Sequence, residues 1–272
     1  MTKSTKNTNA DVTTEISETS TPKRVIQTKF RAAILSRSGN VGKTTLANHL
    51  LAPRMEGVDE IIYIESINAG DETQKGKMVR AAQFEKVARK IMESMSVIVD
   101  IGASNIEETL ELMRQIEGSH EDLDYIIVPI IKSPKQRQDS INTVYELVAM
   151  GIDPAKIKAV YNRVGVVESV EEEFADVIFA LNKMGVVHNP DAVVYESNFF
   201  PKFHEMKTTL EDLFSTSIED NKLRQNDLRR MEHRTEEETA ELQELSGRIT
   251  LQRNAMSAIT NLDNVYESLF SA

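Results

Sequence analysis

The fold is decided by one stretch near the start of the chain, Ser36-Arg37-Ser38-Gly39-Asn40-Val41-Gly42-Lys43-Thr44-Thr45. A short apolar run, residues 32–35, precedes this stretch, and a helix-forming run, residues 44–51, follows it. Glycines allow a backbone turn to approach phosphate oxygens closely, and a helix N-terminus supplies partial positive charge. A strand, a glycine-containing turn and a helix in this order predict a phosphate-binding loop. The alternative is a helix N-terminus that is capped for structural reasons alone.

The chemistry of the individual residues assigns them roles in such a loop. Lys43 is expected to reach the β and γ phosphates of a nucleotide, the Thr44 hydroxyl to coordinate Mg²⁺, and Thr45 to lie near the α-phosphate. The other predicted nucleotide-binding residues of the loop are Gly39, Asn40, Val41 and Gly42. The full pattern G-x-x-x-x-G-K-[ST] is not met, because Arg37 stands at its first glycine position.

Short apolar runs recur along the chain at intervals that fit helices. The runs without polar alternation are residues 32–35, 61–64, 97–99, 125–128, 159–161 and 192–195, and the helices predicted between them include residues 44–51, 81–95 and 106–117. Such runs are typical of parallel strands that are covered on both faces. The sequence therefore predicts a doubly wound α/β domain with a mainly parallel sheet over residues 27–205.

Polar residues follow three of these runs, where open α/β sheets bind their ligands. Asp100 is expected to hold Mg²⁺ or a water of its shell, and Glu65 to serve the metal shell or orient water. Gly102 would let the next loop pass close to the γ-phosphate. The amide of Asn162 can both donate to and accept from an adenine edge. The alternatives are an aspartate that caps the next turn and, for Glu65, an ordinary exposed strand end.

The two ends of the chain differ from its middle. Ten of the first 21 residues are Ser or Thr, and residues 1–26 are predicted to be a disordered tail. Residues 206–272 are predicted to be a helical C-terminal extension, in which apolar residues form a heptad-like seam. Either one long helix pairs with a partner, or two helices fold back on each other and on the sheet. The seam residues are Leu228, Met231, Leu242, Leu245, Ile249, Met256, Ile259, Tyr266 and Phe270.

Composition limits the function classes. The 272 residues include no cysteine, which excludes disulfides, thiolate catalysis and Cys-based zinc sites. No apolar window is long enough for a membrane span, and no apolar signal segment is recognisable at the N-terminus, so a cytoplasmic protein is expected. The net charge of −11 argues against broad affinity for DNA or anionic lipid. Residues 217–272 hold 7 Lys and Arg against 11 Asp and Glu, so direct DNA binding is doubtful.

These residues together resemble the ParA/MinD group of P-loop ATPases, over about residues 30–200. Within that group the chain looks most like StbB-type plasmid stability proteins, on three strings: residues 39–45, Leu51-Ala52-Pro53-Arg54 and Ile64-Glu65-Ser66-Ile67-Asn68. The resemblance implies ATP and Mg²⁺ as cofactors and a nucleotide-dependent homodimer. It also implies a protein adaptor or plasmid-associated partner, and a role in plasmid stability, positioning or conjugative transfer.

The chain departs from the family pattern at two positions. The family lysine that reaches the partner's phosphates falls on Ser38, and the neighbouring Arg37 is either its replacement or a loop arginine that contacts a nearby acid. The family's second acid falls on Ile67, which cannot activate water, so slow or absent hydrolysis is expected. The family's adenine-binding asparagine falls on Asn162. The candidate catalytic residues are thus Lys43, Asp100, Glu65 and Arg37, and the candidate metal ligands are Thr44 and Asp100.

Three functions compete at this point. The first is a switch ATPase that dimerises with ATP and positions a plasmid or transfer complex through partners. The second is a nonhydrolysing, nucleotide-dependent scaffold whose C-terminal helices bind a protein partner. The third is a metabolic enzyme that phosphorylates a small molecule, for which the sequence offers no evident substrate pocket.

Overall fold

A computed structural model describes residues 28–58, 60–66, 76–206 and 208–270 of the chain. The predicted tail of residues 1–26 lies outside the described residues, as do Ile67 and Asn68. The strands are β1 Arg31–Ile34, β2 Ile61–Ile64, β3 Gly76–Val79, β4 Val97–Ile101, β5 Tyr125–Ile130, β6 Ile157–Val164 and β7 Val193–Tyr195. The helices are α1 Lys43–Thr45, α2 Phe84–Glu93, α3 Ile106–Gln115, α4 Pro134–Ala149, α5 Val170–Glu173, α6 Ala175–Lys183, α7 Phe199–Glu205, α8 Leu210–Leu213, α9 Ile218–Arg230 and α10 Glu236–Phe270. A π-helical segment, Leu46–Leu51, continues α1.

The seven strands form one sheet in the order β3-β2-β4-β1-β5-β6-β7, and every neighbouring pair is parallel. Each of the six apolar runs of the sequence overlaps a strand of this sheet, with only Leu35 and Ala192 outside the strand bounds, which confirms the predicted parallel α/β fold. Strand β3 was not predicted. It lies at the sheet edge with three of its four residues exposed, so its sequence carries no apolar run.

Successive residues of a strand point to opposite sides of the sheet. Because the strands are apolar on both sides, helices cover both faces. Ala33 and Ile126 belong to a core that includes apolar side chains of α2, α3, α4 and α6. Ala32 and Ile127 belong to a second core, formed with the π-helical segment and the last turns of α10. The sheet is therefore doubly covered, as predicted, and the helix that follows the glycine-containing loop shares its face with the C-terminal helix.

The C-terminal extension is helical and folds back within the chain. Helices α9 and α10 run antiparallel, since Asn221 bonds Gln252 and Arg224 bonds Glu241. Of the predicted seam, Leu228, Ile249 and Tyr266 are buried, whereas Met256 is 38% exposed. The buried stripe of α10 continues through residues that the seam did not include: Leu251, Ala255, Ala258, Leu262, Val265 and Leu269. The prediction followed large apolar residues, whereas this stripe includes two alanines. No helix in the described ranges has both the length and the apolarity to cross a bilayer.

A buried arginine joins the π-helical segment to α10. Arg54 donates to the carbonyl oxygens of His49 and Leu50 at 2.6 and 3.0 Å, where the segment ends. The same guanidinium pairs with Asp263 of α10, with Nε 2.7 Å from Oδ1. The Tyr266 hydroxyl also donates to the Arg54 carbonyl at 3.2 Å. Because the pair is largely shielded from water, removal of either partner would leave the other charge largely buried and without compensation.

Candidate functional site

The loop that follows β1 lies where the order of the strands reverses. From β1 the chain goes to β2 and β3 on one side, returns to β4, and then crosses to β5 on the other side of β1. Ligands of open parallel sheets bind in the crevice at the carboxyl ends of the strands at such a point. Asp100 is the register partner of Ile34, the last residue of β1, and so it lies beside the start of the loop.

Two residues of the loop adopt left-handed backbone conformations, Asn40 with φ 56° and Gly42 with φ 92°. Asparagine tolerates this region better than most residues. At Gly42 a side chain is excluded for a second reason, because an added Cβ would lie 2.2 Å from Nδ2 of Asn162. At Gly39 an added Cβ would meet nothing within 4 Å. Gly42 is therefore the glycine that the loop conformation requires.

The Lys43 side chain folds back over the loop and is only 8% exposed. Its ammonium group donates to the carbonyl oxygens of Ser38 at 2.9 Å and Ser36 at 3.4 Å. Burial lowers the pKa of Lys43, and the charges of Asp100 and Glu65 oppose that change. The cation is thus held at the centre of the loop by backbone oxygens and nearby acids.

Asp100 is the most deeply buried acid of the site, at 1% exposure. Its Oδ2 accepts a hydrogen bond of 2.7 Å from the Thr44 hydroxyl, while its Oδ1 has no hydrogen-bond partner among the described residues. Burial raises the pKa of Asp100 to about 6, against the opposing effects of the Thr44 hydrogen bond and the Lys43 charge. A buried carboxylate oxygen without a donor is a favourable position for a metal ion or a metal-bound water.

Glu65 directly follows β2 and lies close to Lys43 and Asp100. Its carboxylate packs against Gly102, where an added Cβ would come within 2.4 Å of Oε2. The Gly102 N–H donates to the carbonyl of Ile64 at 2.9 Å. The structure therefore brings together Lys43, Asp100 and Glu65, which the sequence assigned to one site, and shows that Gly102 makes room for the glutamate.

Asn162 lies beneath the loop and is buried. Its Nδ2 donates to the Val41 carbonyl at 2.8 Å, and its Oδ1 accepts from the N–H of Arg163 at 3.0 Å. The side chain therefore supports the loop from the end of β6. The adenine contact expected of this residue stays a prediction.

Arg37 and Ser38 are engaged by helices outside the loop. The Arg37 guanidinium donates to Glu107 of α3 at 2.7 Å and also pairs with Glu146 of α4. The Ser38 hydroxyl donates to Asp139 of α4. This matches the alternative in which Arg37 contacts nearby acids. Its role as a catalytic cation stays a prediction, and that role would require at least one of these ion pairs to open.

Sequence reasoning missed the contribution of α4 to the loop. Besides Asp139 and Glu146, Gln136 and Thr143 bond loop residues. The only sequence signal is their spacing of three and four residues, which marks one side of a helix. Solvated helix faces show the same spacing, so the signal alone could not have identified them.

The residues predicted to hold Mg²⁺ fit that ion. Thr44 and Asp100 are hydrogen-bonded to each other, and a second oxygen of Asp100 is buried without a donor among the described residues. Within those residues, no group of three or more acidic or histidine side chains is arranged to hold a metal. Mg²⁺ in nucleotide sites is usually bound through one or two protein ligands, with phosphate and water oxygens completing its shell.

No protein-family model and no curated protein sequence matches the chain. The fold and the site nevertheless define a class: a doubly covered, all-parallel α/β protein with a lysine-containing loop at the switch point of its sheet.

Proposed function

We propose that the chain is an ATP-binding switch protein of the ParA/MinD-like kind, which acts in plasmid stability, positioning or conjugative transfer. The observation that carries the nucleotide-binding part is the cluster of Lys43, Thr44 and Asp100 at the carboxyl ends of β1 and β4. The plasmid-related part is supported by the resemblance of three short strings. The expected partners are a second copy of the chain and a protein adaptor or plasmid-associated protein.

Each residue has a separate task in this proposal. Lys43 binds the β and γ phosphates as a point charge, and the loop amides donate to phosphate oxygens. Thr44 and Asp100 hold Mg²⁺, which neutralises charge on the phosphate oxygens when it is bound. Glu65 lies close enough to influence the charge of both Lys43 and Asp100. The γ-phosphate would then distinguish ATP from ADP by the contacts it adds at the loop.

Hydrolysis is proposed to be slow. Charge that develops on a transferring phosphoryl group needs fixed cations and an oriented water. The Arg37 guanidinium is already paired with Glu107 and Glu146, and the Ser38 hydroxyl is already bonded to Asp139. A site in this state binds a nucleotide with fewer groups left to assist the chemical step.

The same contacts favour a second candidate function, a nonhydrolysing nucleotide-dependent scaffold. In that case ATP binding alone sets the conformation, and the C-terminal helices α9 and α10 bind a protein partner. The two candidates differ in one measurable quantity, the release of inorganic phosphate. Phosphate release with ATP, together with sedimentation of the same sample in ATP, ADP and GTP, separates the switch ATPase from the scaffold.

The nucleotide site itself is tested with Lys43→Ala. We expect this variant to lose Mg-ATP affinity by about a hundredfold or more, because a buried charge-assisted contact to phosphate is removed. Calorimetric titration measures the affinity, and circular dichroism checks that the fold is kept. Lys86→Ala, at an exposed position of α2, is the matched control. Equal affinities of wild type and Lys43→Ala would refute the site.

A further inference from the structure

One side of α4 faces the upstream half of the loop. Its contacting residues are Gln136, Asp139, Thr143 and Glu146, which recur at intervals of three and four residues. Residues so spaced lie on the same side of a helix, one above the other. Polar side chains at all four positions give α4 a continuous stripe of hydrogen-bonding groups.

Two members of this stripe hold the middle of the loop. Gln136 donates from Nε2 to the Gly39 carbonyl at 3.0 Å, and Asp139 accepts from the Ser38 hydroxyl. Neither contact involves the core, and both join residues that lie about a hundred positions apart in the sequence. They are therefore tertiary contacts specific to the loop.

The other two members hold the beginning of the loop. Thr143 accepts from the Arg37 N–H at 3.3 Å, and Glu146 pairs with the Arg37 guanidinium. Glu146 also forms an ion pair with Arg114 of α3, at a distance of 2.7 Å. The loop thus runs antiparallel to α4, and each of its successive residues from 37 to 39 has a partner on the helix.

These contacts determine where the loop amides point. A trans peptide unit directs its carbonyl and its N–H to opposite sides. The Gly39 carbonyl is held by Gln136, so the N–H of Asn40 points away from α4. The Lys43 ammonium donates to the Ser38 carbonyl, and the N–H of Gly39 belongs to the same peptide unit. By the same reasoning, this N–H points away from the Lys43 ammonium.

A third peptide unit follows the same rule. The Val41 carbonyl is held by Asn162, so the N–H of Gly42 points away from that side chain. In the described part of the chain, the N–H groups of Gly39, Asn40 and Gly42 donate no hydrogen bond to the protein. Backbone amides without protein partners, such as those of Asn40 and Gly42, are what an anion-binding loop presents to phosphate.

We infer that Gln136 and Asp139 of α4 are positioning residues for the phosphate loop: they fix the Gly39 carbonyl and the Ser38 hydroxyl, so that the loop amides are oriented before an anion arrives. The inference rests on the proposed function, in which the loop binds nucleotide phosphates. Preorganisation of this kind raises affinity because the ordering of the loop is not left to the binding step.

The positioning role of Asp139 predicts different effects for two substitutions of this residue. A carboxylate close to an anion site opposes the anion, so its charge is not what the site needs. Asp139→Asn keeps an acceptor for the Ser38 hydroxyl and removes the charge, and it is expected to bind Mg-ATP at least as tightly as wild type. Asp139→Leu removes the acceptor and is expected to bind about tenfold more weakly.

The experiment combines Mg-ATP titration by calorimetry with amide hydrogen exchange in the ligand-free protein, read at the loop residues Arg37 and Ser38, whose N–H groups donate to Thr143 and Ser36. Gln136→Ala and Asp139→Leu are expected to weaken binding about tenfold and to speed exchange in the loop. The matched control is Gln138→Ala, since Gln138 lies on the same helix but its amide donates to Asn142 of that helix. The control is expected to leave both measurements unchanged.

The outcomes separate the inference from the proposed function. Suppose that wild type binds Mg-ATP. If the variants Gln136→Ala and Asp139→Leu then bind it as tightly as the control Gln138→Ala, the positioning role is overturned while the nucleotide site stands. If Asp139→Asn is as weak as Asp139→Leu, the hydrogen bond to Ser38 is not the cause and the role of Asp139 is overturned. If wild type does not bind Mg-ATP, the proposed function fails, and loop exchange alone decides whether α4 holds the loop.

Discussion

Replacement of Asp100 by asparagine is expected to stabilise the ligand-free protein above pH 6. Burial raises the pKa of this carboxyl to about 6 from its ordinary value of 3.8, so the folded protein binds the proton more tightly than the unfolded chain does. The stability that protonated Asp100 contributes is therefore fully present below pH 3.8, and it is lost as the pH rises through about 6, where the buried group must ionise. The amide of the Asp100→Asn variant does not ionise, and it still offers an oxygen to the Thr44 hydroxyl.

The magnitude follows from the two pKa values. A difference of about two pH units corresponds to about 3 kcal/mol in the free energy of unfolding, at 1.36 kcal/mol per unit. For a domain of 150–250 residues, 1 kcal/mol moves the melting temperature by about 2–4 °C, so a gain of about 6–12 °C is expected at pH 8. At pH 4 the difference between Asp100→Asn and wild type should be close to zero.

The assay is urea unfolding of wild type and Asp100→Asn at several pH values between 4 and 8, without nucleotide or Mg²⁺. Asp124→Asn is the control of opposite sign, because the hydrogen bond from Arg31 lowers the pKa of Asp124. Its carboxylate contributes stability above the ordinary pKa that is lost in acid, so Asp124→Asn should be destabilising at pH 8. The reasoning would be refuted if the free energies of unfolding of Asp100→Asn and wild type differed by the same amount at every pH. It would also be refuted if Asp100→Asn were the less stable protein at pH 8. The same variant is also expected to lose most of the Mg²⁺ dependence of nucleotide binding.

Two further predictions concern the loop and the C-terminal helix. Gly42→Ala should weaken Mg-ATP binding at least tenfold, because its Cβ would lie 2.2 Å from Asn162 and its φ is 92°, whereas Gly39→Ala should bind like wild type; equal calorimetric affinities of the two variants would contradict this. Arg54→Met should lower the free energy of unfolding by about 3–5 kcal/mol in urea, since it leaves Asp263 in a largely buried position without its partner, and a loss below about 1 kcal/mol would contradict it.

The strands were predictable from the sequence to the extent that they are buried on both faces. The run Ile61–Ile64, for example, has four buried residues, and parallel strands of this kind show uninterrupted apolar runs. Strand β3 has only Val79 buried, and it is held by backbone pairing to β2 at the sheet edge. Backbone hydrogen bonds depend little on residue type, so such a strand has no signature in its side chains.

The site was predictable where local chain order determines it. Lys43 and Thr44 follow from a strand, a turn and a helix in sequence, and Asp100 follows from its place at the end of an apolar run. The partners of Arg37 and Ser38 lie 70 to 109 positions away on α3 and α4. Which acid an arginine meets at such a distance depends on how helices pack on the sheet, and a single sequence does not reveal that packing.

The contacts of Arg54 give both candidate functions the same structural route from the loop to the C-terminal helix. The helix that begins at Lys43 continues as a π-helical segment, and Arg54 bonds the carbonyls at its end while pairing with Asp263 of α10. π-helical geometry is uncommon and occurs often at functional positions. Close-packed interiors transmit displacements instead of absorbing them, so a shift of this helix on ligand binding would move α10 unless the buried pair opened. The switch and the scaffold therefore differ in the fate of the γ-phosphate, whereas the path by which the nucleotide would influence a partner at the C-terminal helices is common to both.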